Sequence, residues 1–144
     1  MANEKDITAI MVRLLVDGEQ SLFIMLGDEG SITRAGTGTV DNRDRELFIG
    51  KTDPAIFQQL RQQIGPKLLG WFGQQLADPQ PRGKICELTV MLKYANGEES
   101  ATAWRYGAES QGPPPEVVQF VIAAVNATNP WFEQSNAMSR TPRD

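Results

Sequence analysis

The chain has 144 residues, no histidine and a single cysteine, Cys86. Without imidazole there is no His-based general acid or base, no Ser-His-Asp or Cys-His nucleophile, and no zinc site built on histidine. One cysteine allows no intrachain disulfide. Basic clusters are scarce too: 14 Lys and Arg stand against 18 Asp and Glu, a formal charge of −4. The basic residues are scattered, which argues against a nucleic-acid partner, since phosphate backbones need grouped Lys and Arg. No stretch approaches the roughly 18 consecutive apolar residues of a membrane span. The start, Met1 to Asp6, is polar, and the apolar stretch after it contains Arg13, unlike a signal peptide. A cytoplasmic protein with no membrane partner, no cofactor and no metal is expected.

What the chain does contain is ordinary globular material, 40% hydrophobic and 22% charged, long enough for a real core. Its most readable stretch is residues 85–106. From Ile85 to Ala95, Cys86, Leu88, Val90, Leu92 and Tyr94 alternate with Glu87, Thr89 and Lys93, the period of a half-buried strand. Ala95-Asn96-Gly97 turns the chain, and Glu98 to Tyr106 returns antiparallel. A two-residue Asn-Gly loop would set Leu88 opposite Arg105 on the core face. A three-residue loop closed by Gly97 shifts the register by one, setting Leu88 opposite Trp104, Cys86 opposite Tyr106, Lys93 opposite Glu99 and Glu87 opposite Arg105. Favourable cross-strand pairs contribute about 0.2–1 kcal/mol each, and burying an unpaired Arg costs far more. The three-residue loop is therefore expected, and it buries Cys86 as a small hydrophobe rather than a reactive thiolate.

Residues 7–16 fit either a helical stripe or a strand face. Asp17-Gly18 and the β-rich run Ser21–Leu26 favour a hairpin; a helix over 5–16 would instead give the order α-βββ-αα-ββ-α. Ser31–Val40 reads as a strand with Leu26 opposite Ile32, and Leu47–Gly50 as a short one. Asp53 is suited to cap a helix that has Pro54 at its first position and Ile56, Phe57, Leu60 and Ile64 inward. A second short helix is expected to turn Leu68, Leu69, Phe72 and Leu76 inward despite Gly70 and Gly73. Pro115 suits the start of a third, with Val117, Val118, Val121, Ile122 and Val125 on its apolar face and Asn129-Pro130 as its stop. The predicted architecture is α+β: a two-layer domain over 1–133, its antiparallel meander of five or six strands carrying three helices on one face (β-β-β-β-α-α-β-β-α). A polar, disordered tail is expected over 134–144.

Few residues point to chemistry. Gly36-Thr-Gly-Thr39 lacks the helix and Lys of a phosphate loop. Asp41, Asp44 and Glu46 surround Arg43 and Arg45 as a solvated loop would, without the spacing of a calcium loop. Trp71 lies off its helical stripe, and Trp131 and Phe132 follow a helix-stopping proline, so these three are the candidate partner-binding residues; packing is their competing role. Arg34, Asp41 and Asp44 are the candidate ligand-binding residues. Two functions are in view: a non-enzymatic protein-binding module (an adaptor, an inhibitor or immunity-type protein, or a small acidic chaperone) with a protein partner or self-association, and a small-ligand domain or an enzyme using carboxylates and arginines.

Overall fold

The computed structural model describes residues 7–36, 47–110 and 112–140. Chain order is β1 (Ile7–Val16), β2 (Glu19–Gly27), β3 (Ser31–Ala35), β4 (Leu47–Lys51), α1 (Pro54–Arg61), α2 (Pro66–Leu69), β5 (Gln75–Ala77), β6 (Ile85–Tyr94), β7 (Glu99–Gly107) and α3 (Pro115–Arg140). The fold is α+β, as the sequence pattern predicts, with one seven-stranded sheet in the order β4-β3-β2-β1-β6-β7-β5. Every neighbouring pair is antiparallel except β5 with β7.

Residues 7–16 form a strand, joined to β2 through Asp17-Gly18 with both residues at positive φ, the backbone of a two-residue type I′ loop. Asp17 then ties this hairpin to the next: its amide donates to the Ile85 carbonyl, and its Oδ1 accepts from the Ile85 amide at 2.9 Å. The β6–β7 register is that of the three-residue loop, with Leu88 opposite Trp104, Glu87 opposite Arg105 and Lys93 opposite Glu99. Gly97 sits at φ +89, a conformation that a side chain disfavours, and donates to the Tyr94 carbonyl. Leu26 faces Ile32. Asp53 caps α1 by accepting from the Ala55 amide at 2.9 Å.

The core lies on one face of the sheet. Ile10, Val12, Ile24, Leu26, Val90 and Leu92 are almost fully buried there beneath Phe57 and Leu60 of α1 and Val117, Phe120 and Ala124 of α3. Each such Val, Leu, Ile or Phe side chain contributes about 1.5–3 kcal/mol on leaving water.

Four expectations change. The sheet has seven strands rather than five or six, because β5 adds to the edge of β7. The second helix ends at Leu69, and Leu76, expected on its inner stripe, lies in β5 and is 37% exposed. A helix carrying Gly70 and Gly73 is weak, and the unpaired edge of β7 offers the passing chain a better use for its backbone: the Gly73 amide donates to Ala101 O and the Ala103 amide to Gln74 O. Third, α3 turns Val117, Phe120, Ala124, Thr128 and Phe132 inward, while Val118 and Ile122 are exposed. Last, α3 does not stop at Asn129-Pro130 but continues to Arg140, through the first residues of the expected tail. The interior proline removes one helical hydrogen bond, a cost of about 3 kcal/mol. Contacts on both sides of it, described next, hold the helix in place.

Candidate functional site

The three partner-binding candidates, Trp71, Trp131 and Phe132, all make contacts within the fold. Phe132 is only 5% exposed and meets Phe48 edge-on at 5.8 Å. Trp131 lies over β4, where a Cβ on residue 50 would stand 2.9 Å from its ring; Gly50 leaves that slot open. The Trp131 indole N–H donates to the Lys51 carbonyl at 3.1 Å. Trp71 packs edge-on against Trp104 at 5.2 Å and donates to Glu116 Oε1 at 2.6 Å, and this bond is the main reason the Glu116 carboxyl is held below its ordinary pKa. Of the three partner-binding candidates, Phe132 is buried, and the two indoles are engaged with neighbouring elements.

Arg34 is 1% exposed, with its guanidinium inside the fold. Its Nε donates to Gly36 O at 3.0 Å; Nη1 donates to Thr128 Oγ1 at 2.8 Å, Asn129 Oδ1 at 3.0 Å and Val125 O at 3.4 Å. It lies over the Phe132 ring at 4.4 Å. All four acceptors are neutral, and burial lowers its pKa to about 10. Arg34 thus fastens β3 to α3 on the N-terminal side of Pro130, while Trp131 and Phe132 fasten the helix on the other side. Asp41 and Asp44, grouped with Arg34 as ligand-binding candidates, lie outside the described residues, as do Thr37–Thr39.

No three metal-ligating side chains converge among the described residues. A cleft of about 380 Å³ lies beside β5 and β7, and the charges lining it, Glu87 and Arg105, pair with each other at 3.4 Å. No helix among the described residues is long and apolar enough to cross a membrane.

The surface that stands out is the other face of the sheet. All three helices bury their apolar sides on the core face, and among the described residues no element packs on the opposite one. A strand bared to water on one side normally alternates apolar and polar, but here the bare face is apolar as well. One row of directly opposed residues crosses six strands: Ile49, Thr33, Met25, Met11, Met91 and Ala101. The next row is Leu47, Ala35, Phe23, Arg13, Thr89 and Ala103. Ile49 is 74% exposed, Leu47 52% and Met25 38%; Met11, Phe23, Thr33, Met91 and Ala101 are half-buried, and Ala35, between Leu47 and Phe23, is buried. Charges border the band: Lys93 opposite Glu99 towards one end of the strands, Glu87 opposite Arg105 towards the other. None of the aromatic candidates marks this face. The signal in sequence was that β1 and β2 carry apolar residues at odd as well as even positions and that β6 places Met91 among its polar odd positions, which a single buried face does not require.

No known protein family, curated protein or solved structure matches the chain. What the fold and this surface define is a class, an α+β domain with one sheet face open and apolar.

Proposed function

We propose that the chain is a non-enzymatic, cytoplasmic protein-binding module whose contact surface is the open face of the sheet. The observation that supports this reading is the largely apolar row from Ile49 to Ala101, exposed at Ile49 and Met25, half-buried at Thr33, Met11, Met91 and Ala101, and bordered by charge. Contiguous apolar surface of this kind is characteristic of protein-contact sites. Methionine-rich surfaces adapt to a partner's shape because the side chain is unbranched and polarisable. An enzyme or small-ligand site around Arg34, Asp41 and Asp44 has less support, since the Arg34 hydrogen bonds are spent on α3 and Gly36.

The test compares complexes isolated from the native cells with wild-type chain and with Met91→Glu. A protein held by wild type, released by Met91→Glu and rebound by wild type when both are purified is the expected outcome. A wild-type chain that emerges alone and monomeric would count against the reading.

A further inference from the structure

We infer that the occupant of the open face is a second copy of this chain, packed sheet to sheet about a two-fold axis that lies between the sheets and runs across the strands. The inference rests on the protein-binding reading above and names its partner. The axis would pass over the row Phe48, Arg34, Ile24, Val12, Val90 and Thr102, whose members are opposed in register across six strands. Rotation about it lays each strand over its own copy with the direction reversed. Positions equally far from that row on either side then meet.

On β6 this brings Lys93 over the partner's Glu87, and on β7 Glu99 over the partner's Arg105. The charges at the two ends of the face are of opposite order, positive then negative at one and negative then positive at the other. Each end of the assembly therefore closes with four alternating charges, and the two-fold repeats them. Between the ends, Leu47 meets the partner's Ile49, Phe23 the partner's Met25 and Met11 the aliphatic stem of the partner's Arg13, so the band is covered mainly by apolar groups. Arg13, the charged residue within the band, stands opposite Thr89 with Glu87 on the diagonal, a spacing that long side chains bridge.

The dimensions suit such a contact. Six strands about 4.8 Å apart and seven residues of about 3.3 Å rise project to roughly 500 Å². With side-chain relief added, the face approaches the roughly 800 Å² per partner of a standard interface. Sheets packed face to face sit about 10 Å apart and interdigitate their side chains, and a two-fold contact of this kind closes without leaving an open end.

The decisive experiment is light scattering on the full chain and on charge reversals, at about 100 µM, where a micromolar interface is nearly saturated. Wild type is expected near twice the 15.9 kDa of the chain. Met91→Glu and Ile49→Lys, both on the bare face, are expected to be monomers with unchanged circular dichroism. Lys93→Glu sets like charges against the partner's Glu87 at both ends, and Glu87→Lys does the same against the partner's Lys93, so each alone weakens the dimer by about tenfold or more. Mixed in equal amounts they restore it, because each end of the heterodimer again carries opposite charges. A dimer formed along the free edge of β4, or one turned about an axis parallel to the strands, gains nothing from that mixing. A monomeric wild type, or a dimer indifferent to these variants and to their mixing, would overturn the inference. Monomeric wild type that still holds a different protein through Met91 would sink the second copy and leave the binding-module reading standing.

Discussion

Trp71 and Trp104 touch edge to face, yet their N–H groups fare differently. The Trp71 indole donates to Glu116. The Trp104 indole N–H is buried and meets no acceptor among the described residues, and a buried donor left unpaired costs about 1–3 kcal/mol. Replacing each by Phe separates the two. Trp104→Phe removes the orphaned donor along with some contact area, so its melting temperature is expected within about 4 °C of wild type. Trp71→Phe loses its hydrogen bond, is expected to melt lower than Trp104→Phe, and should return the Glu116 carboxyl towards its ordinary pKa in an NMR titration. Tyr106 offers a pH-dependent counterpart. Burial pushes its hydroxyl up to about 12, so between pH 10 and 12 the unfolded chain has lost a proton that the folded chain keeps. Stability contributed by this group is complete below pH 10 and falls as pH rises through that window. Arg34 acts in the opposite sense there, because its folded pKa is lowered. The difference between wild type and Tyr106→Phe isolates the tyrosine: melts recorded from pH 9 to 12 should show a shallower decline in the variant.

At the scale of elements, the β6–β7 hairpin and α3 were legible to different degrees. The hairpin register followed from pairing Lys93 with Glu99 and Glu87 with Arg105, because slipping by one residue would have turned Arg105 inward. It depends on Gly97 in the left-handed region, so Gly97→Ala is expected to cost about 1–2 kcal/mol in urea unfolding without altering the fold. The course of α3 was not legible past Pro130, since the contacts that carry it onward come from β3 and β4, distant in sequence. Arg34 was another case. Placing Leu26 opposite Ile32 already implied that Arg34, opposite Ile24, points into the core, but its acceptors on α3 could be found only in three dimensions. If tertiary contacts sustain a helix that its proline weakens, Pro130→Ala should stabilise the chain by about 1–3 kcal/mol. A loss of stability on that substitution would mean that the proline is itself needed to place Trp131 and Phe132.

Across the whole molecule the two faces of the sheet, both apolar, differ in what covers them. Met25 and Leu26 are neighbours on β2; Met25 is 38% exposed on the bare face and Leu26 fully buried beneath the helices. Met25→Lys is expected to leave the monomer folded with a change within about 1 kcal/mol, as exposed substitutions do. Leu26→Lys would bury an unpaired charge and should abolish cooperative unfolding in the same urea titration. Comparable damage from both would show that the second face is covered within the monomer.

The strand pattern of β6 and β7, their hairpin register, the capped start of α1 and the lack of imidazole chemistry were determined by the sequence alone, because each depends on residues close together in the chain or on composition. Three outcomes needed the tertiary structure. Residues 75–77 became a strand because β7 offered them an unpaired edge. The helix α3 ran on because Arg34, Lys51 and Phe48 hold both sides of its proline. The row Ile49-Thr33-Met25-Met11-Met91-Ala101 became one surface because β1 pairs with β6 across most of the chain. The last is a matter of topology. An apolar residue at an odd strand position is unremarkable by itself, and joins a continuous surface only when six strands align such residues and no helix among the described residues covers them.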